Sequence, residues 1–442
     1  MTLTEIRAAL QNLGVRPRQS LGQNFLHDQN LARALAESLE GTHDGTLVEI
    51  GPGLGALTEH LTTRARRLIL IEKDQVMARW LAEHHSSPQV ELFHADALKF
   101  DLREICGCGR VGVIGNLPYY ISTPLIAKFA SAVSPASTLV LTLQREVAGR
   151  ICARPGSADF GAMSVCIQRR WEARIIRHLP PTVFYPEPKV FSAAVVLTRR
   201  PAEGLRPLDE GVFDDLVRRG FSERRKQLRK LLPELRPEWP DLCARLDIAE
   251  DIRAEALTIN QWEELAVTAG PPATASAEEL CDVVDTDDRV IESRPRQFVH
   301  VNNLRHRAVH TLILNAKGEL FLQRRALWKE RNPALWDSSA AGHVDAGETY
   351  AQAATRELLE ELGVTTPLTK IGRLEASRET SWEFVEVFRG HHEGPFRLAR
   401  LEVETGAFFP LPKIAEWMRA RPQDFTPHFR RIFSDNFLEV AG

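Results

Sequence analysis

Four acidic or amide side chains end short apolar runs early in the chain: Glu49, Glu72, Asp96 and Asn116. Glu49 opens the pattern E-x-G-x-G-x-G, with glycines at Gly51, Gly53 and Gly55. Glycines let a backbone turn sharply and approach a ligand closely. Dinucleotide sites also use glycine-rich turns, but with the spacing G-x-G-x-x-G. Glu72 can accept both hydroxyls of a ribose, a group that NAD and S-adenosylmethionine share. Asp96 suits an adenine amino group. The glycine spacing and the next motif, Asn116-Leu117-Pro118-Tyr119, favour S-adenosylmethionine. An exocyclic amine on adenine is a poor nucleophile because its lone pair is delocalised into the ring. An Asn amide oxygen and a nearby backbone carbonyl can accept its two hydrogens. That draws the nitrogen toward tetrahedral geometry and aims its lone pair at a methyl-sulfonium. Pro118 holds the carbonyl in place by fixing φ, and Tyr119 offers an aromatic face to a base taken out of its stack. No strong general base is required, since proton loss can follow methyl transfer. By itself Asn-Leu-Pro-Tyr would be an ordinary strand-to-loop turn; after the glycine motif and two strand-end acids it reads as a site.

A second chemistry lies in residues 342–364, GHVDAGETYAQAATRELLEELGV. Glu357, Glu360 and Glu361 stand at i, i+3 and i+4, so a helix puts their carboxylates on one face. Clustered carboxylates repel unless cations join them, and hard divalent ions, Mg²⁺ or Mn²⁺, suit oxygen ligands. Such metals can bridge diphosphate oxygens and activate a water. The expected metal ligands are Glu357, Glu360, Glu361 and Glu348, with Glu357 and Glu361 also catalytic. Glu348 precedes the helix and adds a ligand or helps the base, while Arg356 orients a carboxylate. TRELLEELG alone would be an ordinary acidic amphipathic helix.

The elements that must position these groups follow from hydrophobic patterning. TLVEI (46–50), RLILIE (67–72), VELFHAD (90–96), VGVIGN (111–116) and STLVLTLQ (137–144) read as buried strands. ALTEHLTTRARR, after the glycine turn, suits a helix with Leu57 and Leu61 four apart. Strands alternating with helical stretches predict a doubly wound parallel α/β sheet, with ligands at the carboxyl ends of the strands. From 205 to 267 the pattern is helical and basic, with no strand signal. Residues 280–442 mix strand-like runs with one helix near 349–362, predicting an α+β fold.

Several long stretches resemble the KsgA/RsmA family of ribosomal RNA small-subunit adenine dimethyltransferases. They are LGQNFLHD (21–28), VEIGPGLGALTEHL (48–61), IEKD (71–74), GNLPYYISTPL (115–125), QREVAGRICARPGSADFGAMSV (144–165), FYPEPKVFSAAV (184–195) and FSERRKQLRKLL (221–232). The resemblance spans residues 1–267. It implies a Rossmann-like S-adenosylmethionine methyltransferase with a small helical subdomain. Asn24, Leu26, Gly51, Gly53, Glu72, Asp96 and Asn116 would hold the cofactor. Tyr119 and Phe184 would sandwich the target adenine, and two adjacent adenines near the 3′ end of small-subunit (16S) rRNA would be dimethylated at N6. The related drug-resistance methyltransferases of large-subunit rRNA share the cofactor logic, but the match through PGSADFGAMSV and the helical tail favours the small-subunit enzymes. Retention of Glu72, Asp96, Asn116 and Tyr119 argues against a non-catalytic ribosome-assembly factor.

The second motif resembles the Nudix box. Gly342, Glu348, Arg356, Glu357, Leu358, Glu360, Glu361, Gly363 and Val364 fit G-x5-E-x7-R-E-U-x-E-E-x-G-U, with U aliphatic, at every position. That implies an α/β/α Nudix fold hydrolysing a nucleoside diphosphate linked to another moiety. The region from His306 is also similar to the isopentenyl diphosphate isomerase branch. That branch has a catalytic Cys where Ala341 stands here, which argues against isomerisation. A binding-only Nudix domain is the other alternative. His306, His310 and His343 line a substrate pocket or are ordinary core or surface histidines.

The chain's 442 residues are about three times the ~150 typical of one domain. The expected division is a methyltransferase domain at 1–204, a helical rRNA-contacting subdomain at 205–267, a linker at 268–279 (TAGPPATASAEE) and a Nudix domain at 280–442. Residues 218–230 carry seven basic side chains and one acid. Such a run is either a solvated face or a contact to phosphates; the resemblance favours rRNA contact through Arg224, Arg225, Lys226 and Arg229. No run of ~18 apolar residues predicts a membrane span, and residues 1–20 lack a secretory apolar core, so a cytoplasmic monomer is expected, acting on rRNA in a pre-30S particle. Cys106 and Cys108 form a CxC with no second pair nearby and read as idle thiols rather than a zinc site.

Overall fold

The run Thr46–Ile50 forms strand β1, buried along its whole length. Around it a computed structural model arranges β2 (Arg67–Glu72), β3 (Val90–His94), β4 (Val111–Asn116), β5 (Ala136–Gln144), β6 (Trp171–Leu179) and β7 (Ser192–Arg199) in the order β3-β2-β1-β4-β5-β7-β6. The structure describes all residues except 19–21, 40–44, 106–109, 132–133, 202–203, 207, 270–278, 328, 330, 400–401 and 436–442. Cys106, Cys108 and most of the expected linker therefore lie outside the described residues. Two compact units are present: Met1–Leu205 with Leu216–Trp262, and Arg206–Asp215 with Glu263–Gly442.

In the first unit β1 pairs in parallel with both β2 and β4, β2 with β3, and β4 with β5. Ile50 is level with Ile71 on one side and Gly115 on the other. The carboxyl ends of three strands thus meet at the place where the strand order reverses, the position where open α/β sheets bind ligands. Parallel strands covered on both faces read as continuous apolar runs. Here Val48, Ile50, Ile71 and Val113 join one core layer with Leu125 and Phe129. Leu47, Leu68, Leu70 and Ile114 join the other with Leu31, Leu57 and Leu61.

Two features differ from the sequence pattern. The helix after the glycine turn is only Thr58–Leu61. Thr62 ends it, its Oγ1 donating back to the Thr58 carbonyl at 2.9 Å, a bond that competes with helix continuation. The sheet also gains β6 and β7, with β7 antiparallel to β5 and to β6. Beyond β7 the described residues are helical up to Leu280: α1 (Glu210–Gly220), α2 (Leu228–Leu231), α3 (Trp239–Leu246) and α4 (Ile259–Ala269). Trp262, fully buried, stacks on Phe221 with ring centroids 5.6 Å apart.

The second unit is built on β8 (His306–Leu314), β9 (Glu319–Arg325), β10 (Trp336–Asp337), β11 (Ala340–His343), β12 (Thr369–Leu374), β13 (Glu383–His391) and β14 (Val403–Pro410). β10-β9-β8-β13-β12 form the path, with β11 also on β8 and β14 on β9. Helix α5 (Tyr350–Leu362) starts at a Thr349–Gln352 capping box and stops at Gly363 in the left-handed region. Its apolar face packs Leu358 and Leu362 against Ile313, Phe321 and Ala340, which turns the glutamate face toward β11.

Candidate active sites

The glycine turn after β1 is held open by its neighbours. Gly53 and Gly55 have φ of 58° and 91°, where a side chain is strained. A Cβ on Gly53 would sit 3.0 Å from the Phe25 ring, and one on Gly55 2.1 Å from His85 Nε2. The turn lines a cleft of about 960 Å³ that also contains Asn24, Leu26, Gly51, Glu72, Asp96, Asn116 and Pro118. All seven residues assigned to the cofactor from sequence therefore meet in one place.

Glu72 is buried, and burial raises its pKa. Its Oε2 accepts from the Gly53 N–H at 3.0 Å and its Oε1 from the Asp74 N–H at 2.8 Å. A carboxylate has about four acceptor sites, which leaves acceptor capacity for a ribose hydroxyl. Asp96 pairs with Lys73 at 2.9 Å, and that bond holds its carboxyl below the usual range. Asn116 Nδ2 donates to the Asn24 carbonyl at 2.7 Å, which fixes the amide plane and turns Oδ1 away from that carbonyl. The Pro118 carbonyl accepts from Ile121 N–H at 3.1 Å and the Tyr119 carbonyl from Ser122 Oγ at 3.0 Å. These groups fit the nucleoside part of S-adenosylmethionine: a cradle that a Cβ would fill, an acceptor for a ribose hydroxyl and an acid for an adenine amine.

The aromatic residues are placed differently from the cofactor residues. Tyr119 is half-buried and its hydroxyl shares a 2.7 Å hydrogen bond with Ser192 Oγ. Phe184 is 2% exposed within the core around Leu26 and Leu179, on a two-residue strand paired with Phe25–Leu26. Tyr120, not singled out from sequence, lines the cleft and is 57% exposed. Lys73 and Gln23 also went unnoticed; Gln23 reaches Asp74 at 3.0 Å.

In the second unit Arg356 is the hub of the carboxylates. It donates to Glu348 at 2.9 and 3.1 Å, to Glu357 at 2.8 Å, to Glu360 at 3.2 Å and to the His343 carbonyl at 3.0 Å. Glu361 is buried and accepts from Gln323 Nε2 and the Ala341 N–H, both at 2.9 Å. Burial and the neighbouring Glu361 push the Glu357 carboxyl up. A Cβ on Gly342 would lie 2.0 Å from Glu357 Oε1, so that glycine makes room for a carboxylate. Glu357, Glu360 and Glu361 face a cleft of about 1130 Å³, whereas Glu348 is taken up by Arg356. Two buried carboxylates pushed toward protonation form a donor set that a hard divalent cation satisfies. His310 and His343, left open from sequence between pocket and core or surface, line the cleft, which also includes His300, Glu383 and His428. His306 is 1% exposed. His300, Glu383 and His428 come from segments whose local sequence carries no such signal.

The profile of the ribosomal RNA adenine dimethylase family matches residues 14–269. The chain belongs to that family. The chain carries a second match, to the NUDIX domain, at residues 304–429. A ribosomal RNA small subunit methyltransferase A of Ligilactobacillus salivarius is 35% identical over 276 residues, covering 60% of this chain and 93% of its own. One from Geobacillus kaustophilus is 37% identical over 275 residues, covering 59% and 94%. The solved 23S rRNA methyltransferase ErmE has a TM-score of 0.47 at 24% identity, covering 54% of this chain and 96% of its own. The two family matches together join a Rossmann-like methyltransferase fold to a Nudix fold, with both enzyme classes on one chain.

The basic segment runs from the end of α1 through a turn into α2. Arg224 donates to the Ala158 and Phe160 carbonyls at 2.7 and 3.3 Å. Lys226 pairs with Glu223 at 2.8 Å, and Arg229 with Glu250 at 3.7 Å. No side-chain bond or ion pair holds Arg225 among the described residues, and it is exposed.

Proposed function

We propose that the first unit transfers methyl groups from S-adenosylmethionine to N6 of two adjacent adenines near the 3′ end of small-subunit rRNA, within a pre-30S particle in the cytoplasm. The observation that carries this is the Asn116–Asn24 bond. It holds the amide of Asn116, a lining residue of the cleft suited to the cofactor, in one plane. The cofactor, when bound, supplies an electrophilic methyl group. Asn116 Oδ1 and the Leu117 carbonyl accept the two amine hydrogens and aim the nitrogen lone pair. Pro118, with φ −56°, keeps that carbonyl in place. Tyr119 supplies the aromatic surface against the base; Phe184, expected from sequence to complete a sandwich, is enclosed in the core around Leu26 and Leu179 and would have to turn outward to join it. Arg224, Arg225, Lys226 and Arg229 form the rRNA contact, in a helical subdomain at 205–267. The small-subunit substrate is favoured over the large-subunit one by relatives of that name that match over nearly their full length.

The test is methyl transfer to undermethylated small subunits, read by primer extension. Stops at two neighbouring adenines, lost in Asn116→Ala, are expected. Transfer to large subunits alone would overturn the assignment.

The Nudix part of the second unit, residues 280–442, hydrolyses a nucleoside diphosphate derivative. Glu357, Glu360 and Glu361 would hold Mg²⁺ or Mn²⁺, which when bound would polarise a diphosphate and its attacking water; Glu348, expected from sequence as a further ligand, is bound through both oxygens by Arg356 and would join them only on release from it. Arg356 keeps the carboxylates in place. Phosphate release across nucleotide-sugars, dinucleoside polyphosphates, nucleoside triphosphates and 5′-triphosphate RNA tests this, with Glu360→Gln/Glu361→Gln as control. Turnover that persists in that variant would reject the metal assignment.

A further inference from the structure

The cofactor cleft of the first unit opens beside a small apolar patch. Among the described residues of that unit three large apolar side chains are well exposed: Tyr120, Val190 and Phe191, at 57%, 41% and 52%. Scattered singly, such residues are ordinary. Here all three stand within two positions of the 2.7 Å hydrogen bond between Tyr119 and Ser192. Tyr120 lines the cleft itself. Phe191 immediately precedes β7, whose first residue, Ser192, is level with Gln144 at the end of β5. The patch therefore lies at the carboxyl rim of the sheet, next to the motif that presents a base.

The Phe191 backbone is fixed while its ring stays open to solvent. The Phe191 carbonyl accepts from the Arg145 N–H at 3.0 Å, and Ser192 is fully buried. The Arg145 guanidinium lies over the ring, 5.5 Å from its centroid. Arg145 and Lys189 are both exposed, and neither has an ion pair among the described residues. Glu146, the acid next to Arg145, pairs with Arg150. In the loop itself Lys189 offsets Glu187, so the remaining charge at the ring is that of Arg145. An open aromatic face beside an unpaired guanidinium is the surface on which unpaired RNA bases stack. Three apolar side chains fall far short of the roughly 800 Å² per partner of a stable protein interface, whereas one ring is enough for one base.

We propose that Phe191, under Arg145, stacks the unpaired nucleotide next to the adenine held at Asn116; this rests on the first unit being an rRNA adenine methyltransferase. Drawing one adenine into the site leaves its neighbour without a stacking partner on that side. Phe191 takes the place of that partner. Every base has a π-face, so the ring holds the neighbour without reading its identity. One platform can then serve each of two adjacent adenines in turn. Arg145 strengthens the stack through its own charge, and with Lys189 it draws in the phosphates of the same strand. The fixed backbone keeps the ordering cost of the contact low. Phe191 touches no reacting atom: it sets affinity for the strand and the register in which an adenine is presented.

The experiment is steady-state methylation of undermethylated small subunits by the full-length protein and three Phe191 variants. In Phe191→Ala the KM for small subunits should rise about tenfold, with kcat held within about twofold. Phe191→Leu keeps an apolar side chain without a π-face and should behave like the alanine variant. Phe191→Trp should return KM to within about twofold of the wild type. S-adenosylmethionine affinity, measured separately, should stay at the wild-type value in all three and so report an intact first unit. A wild-type KM in Phe191→Ala would overturn the platform. A wild-type KM in Phe191→Leu would replace it with a plain apolar contact, as to a ribosomal protein. Loss of S-adenosylmethionine binding in step with the rise in KM would make the ring a support of the fold and overturn it as well. Absence of methyl transfer by the wild-type protein would instead reject the substrate assignment, and the platform with it.

Discussion

Gly342 has no side chain because Glu357 occupies the space one would need. A methyl 2.0 Å from Oε1 forces either the carboxylate or the β11 backbone to move. Gly342→Ala is therefore expected to weaken Mg²⁺ dependence of hydrolysis about 10–100-fold, measured as the Mg²⁺ concentration for half-maximal turnover. An unchanged Mg²⁺ curve would mean that Glu357 is not a ligand. A different residue sets a pH dependence. Glu49 is fully buried beneath the glycine turn, accepting from Thr58 Oγ1 at 2.6 Å. Burial outweighs that bond and pushes its carboxyl up to about 8 from the ordinary 4.5. The folded state thus binds a proton that the unfolded chain has released. The associated stability is complete below pH 4.5 and is lost as pH rises through 8, by at most about 1.4 kcal/mol per unit. Glu49→Gln keeps an acceptor for Thr58 without an ionisation. Its melting temperature should gain on the wild type as pH rises across that window. Parallel curves would show that Glu49 titrates normally.

At the scale of elements, legibility depended on whether a segment buries itself or is buried by others. β1, β2 and β4 run where their apolar stretches lie, and their terminal Glu49, Glu72 and Asn116 needed only the strand ends to be located. β6 escaped because only Trp171 and Leu179 of WEARIIRHL are buried and charges fall between them, and its place is decided by pairing with β7. Likewise Glu361 was legible from helix spacing, but Glu383 was not: it begins a strand 40 residues from His343, and only the sheet brings them together. The basic segment makes the same point for function. Its seven cations looked alike in sequence, yet Arg224 is tied to two backbone carbonyls while Arg225 is exposed without a side-chain bond or ion pair among the described residues. Arg225→Ala should weaken binding to small subunits and flatten the salt dependence by roughly one counterion, leaving thermal stability within about 0.5 kcal/mol. Arg224→Ala should lower stability as well. Equal effects of both on binding and none on stability would return Arg224 to the role of a free phosphate contact.

At the scale of the whole molecule, two compact units each contain a cleft with its own chemistry. A ligand stabilises what it binds by RT ln(1 + [L]/Kd), about 2.7 kcal/mol at one hundred times Kd. If each unit unfolds as its own cooperative block, calorimetry of the full chain shows two transitions rather than one. S-adenosylmethionine should raise one of them and Mg²⁺ with a hydrolysable nucleotide the other. The activities should separate in the same way: Asn116→Ala loses methyl transfer and keeps hydrolysis, and Glu360→Gln/Glu361→Gln does the reverse, each retained rate within twofold. A regulatory fusion predicts the opposite. A nucleotide bound at the Nudix cleft would then change methyl-transfer rates, and by linkage the methyl-donor site would change nucleotide affinity by the same factor. Measuring nucleotide affinity with and without saturating S-adenosylmethionine decides between them: a ratio of one means two enzymes on one chain, and a ratio of five or more, about 1 kcal/mol, means that one unit reports to the other.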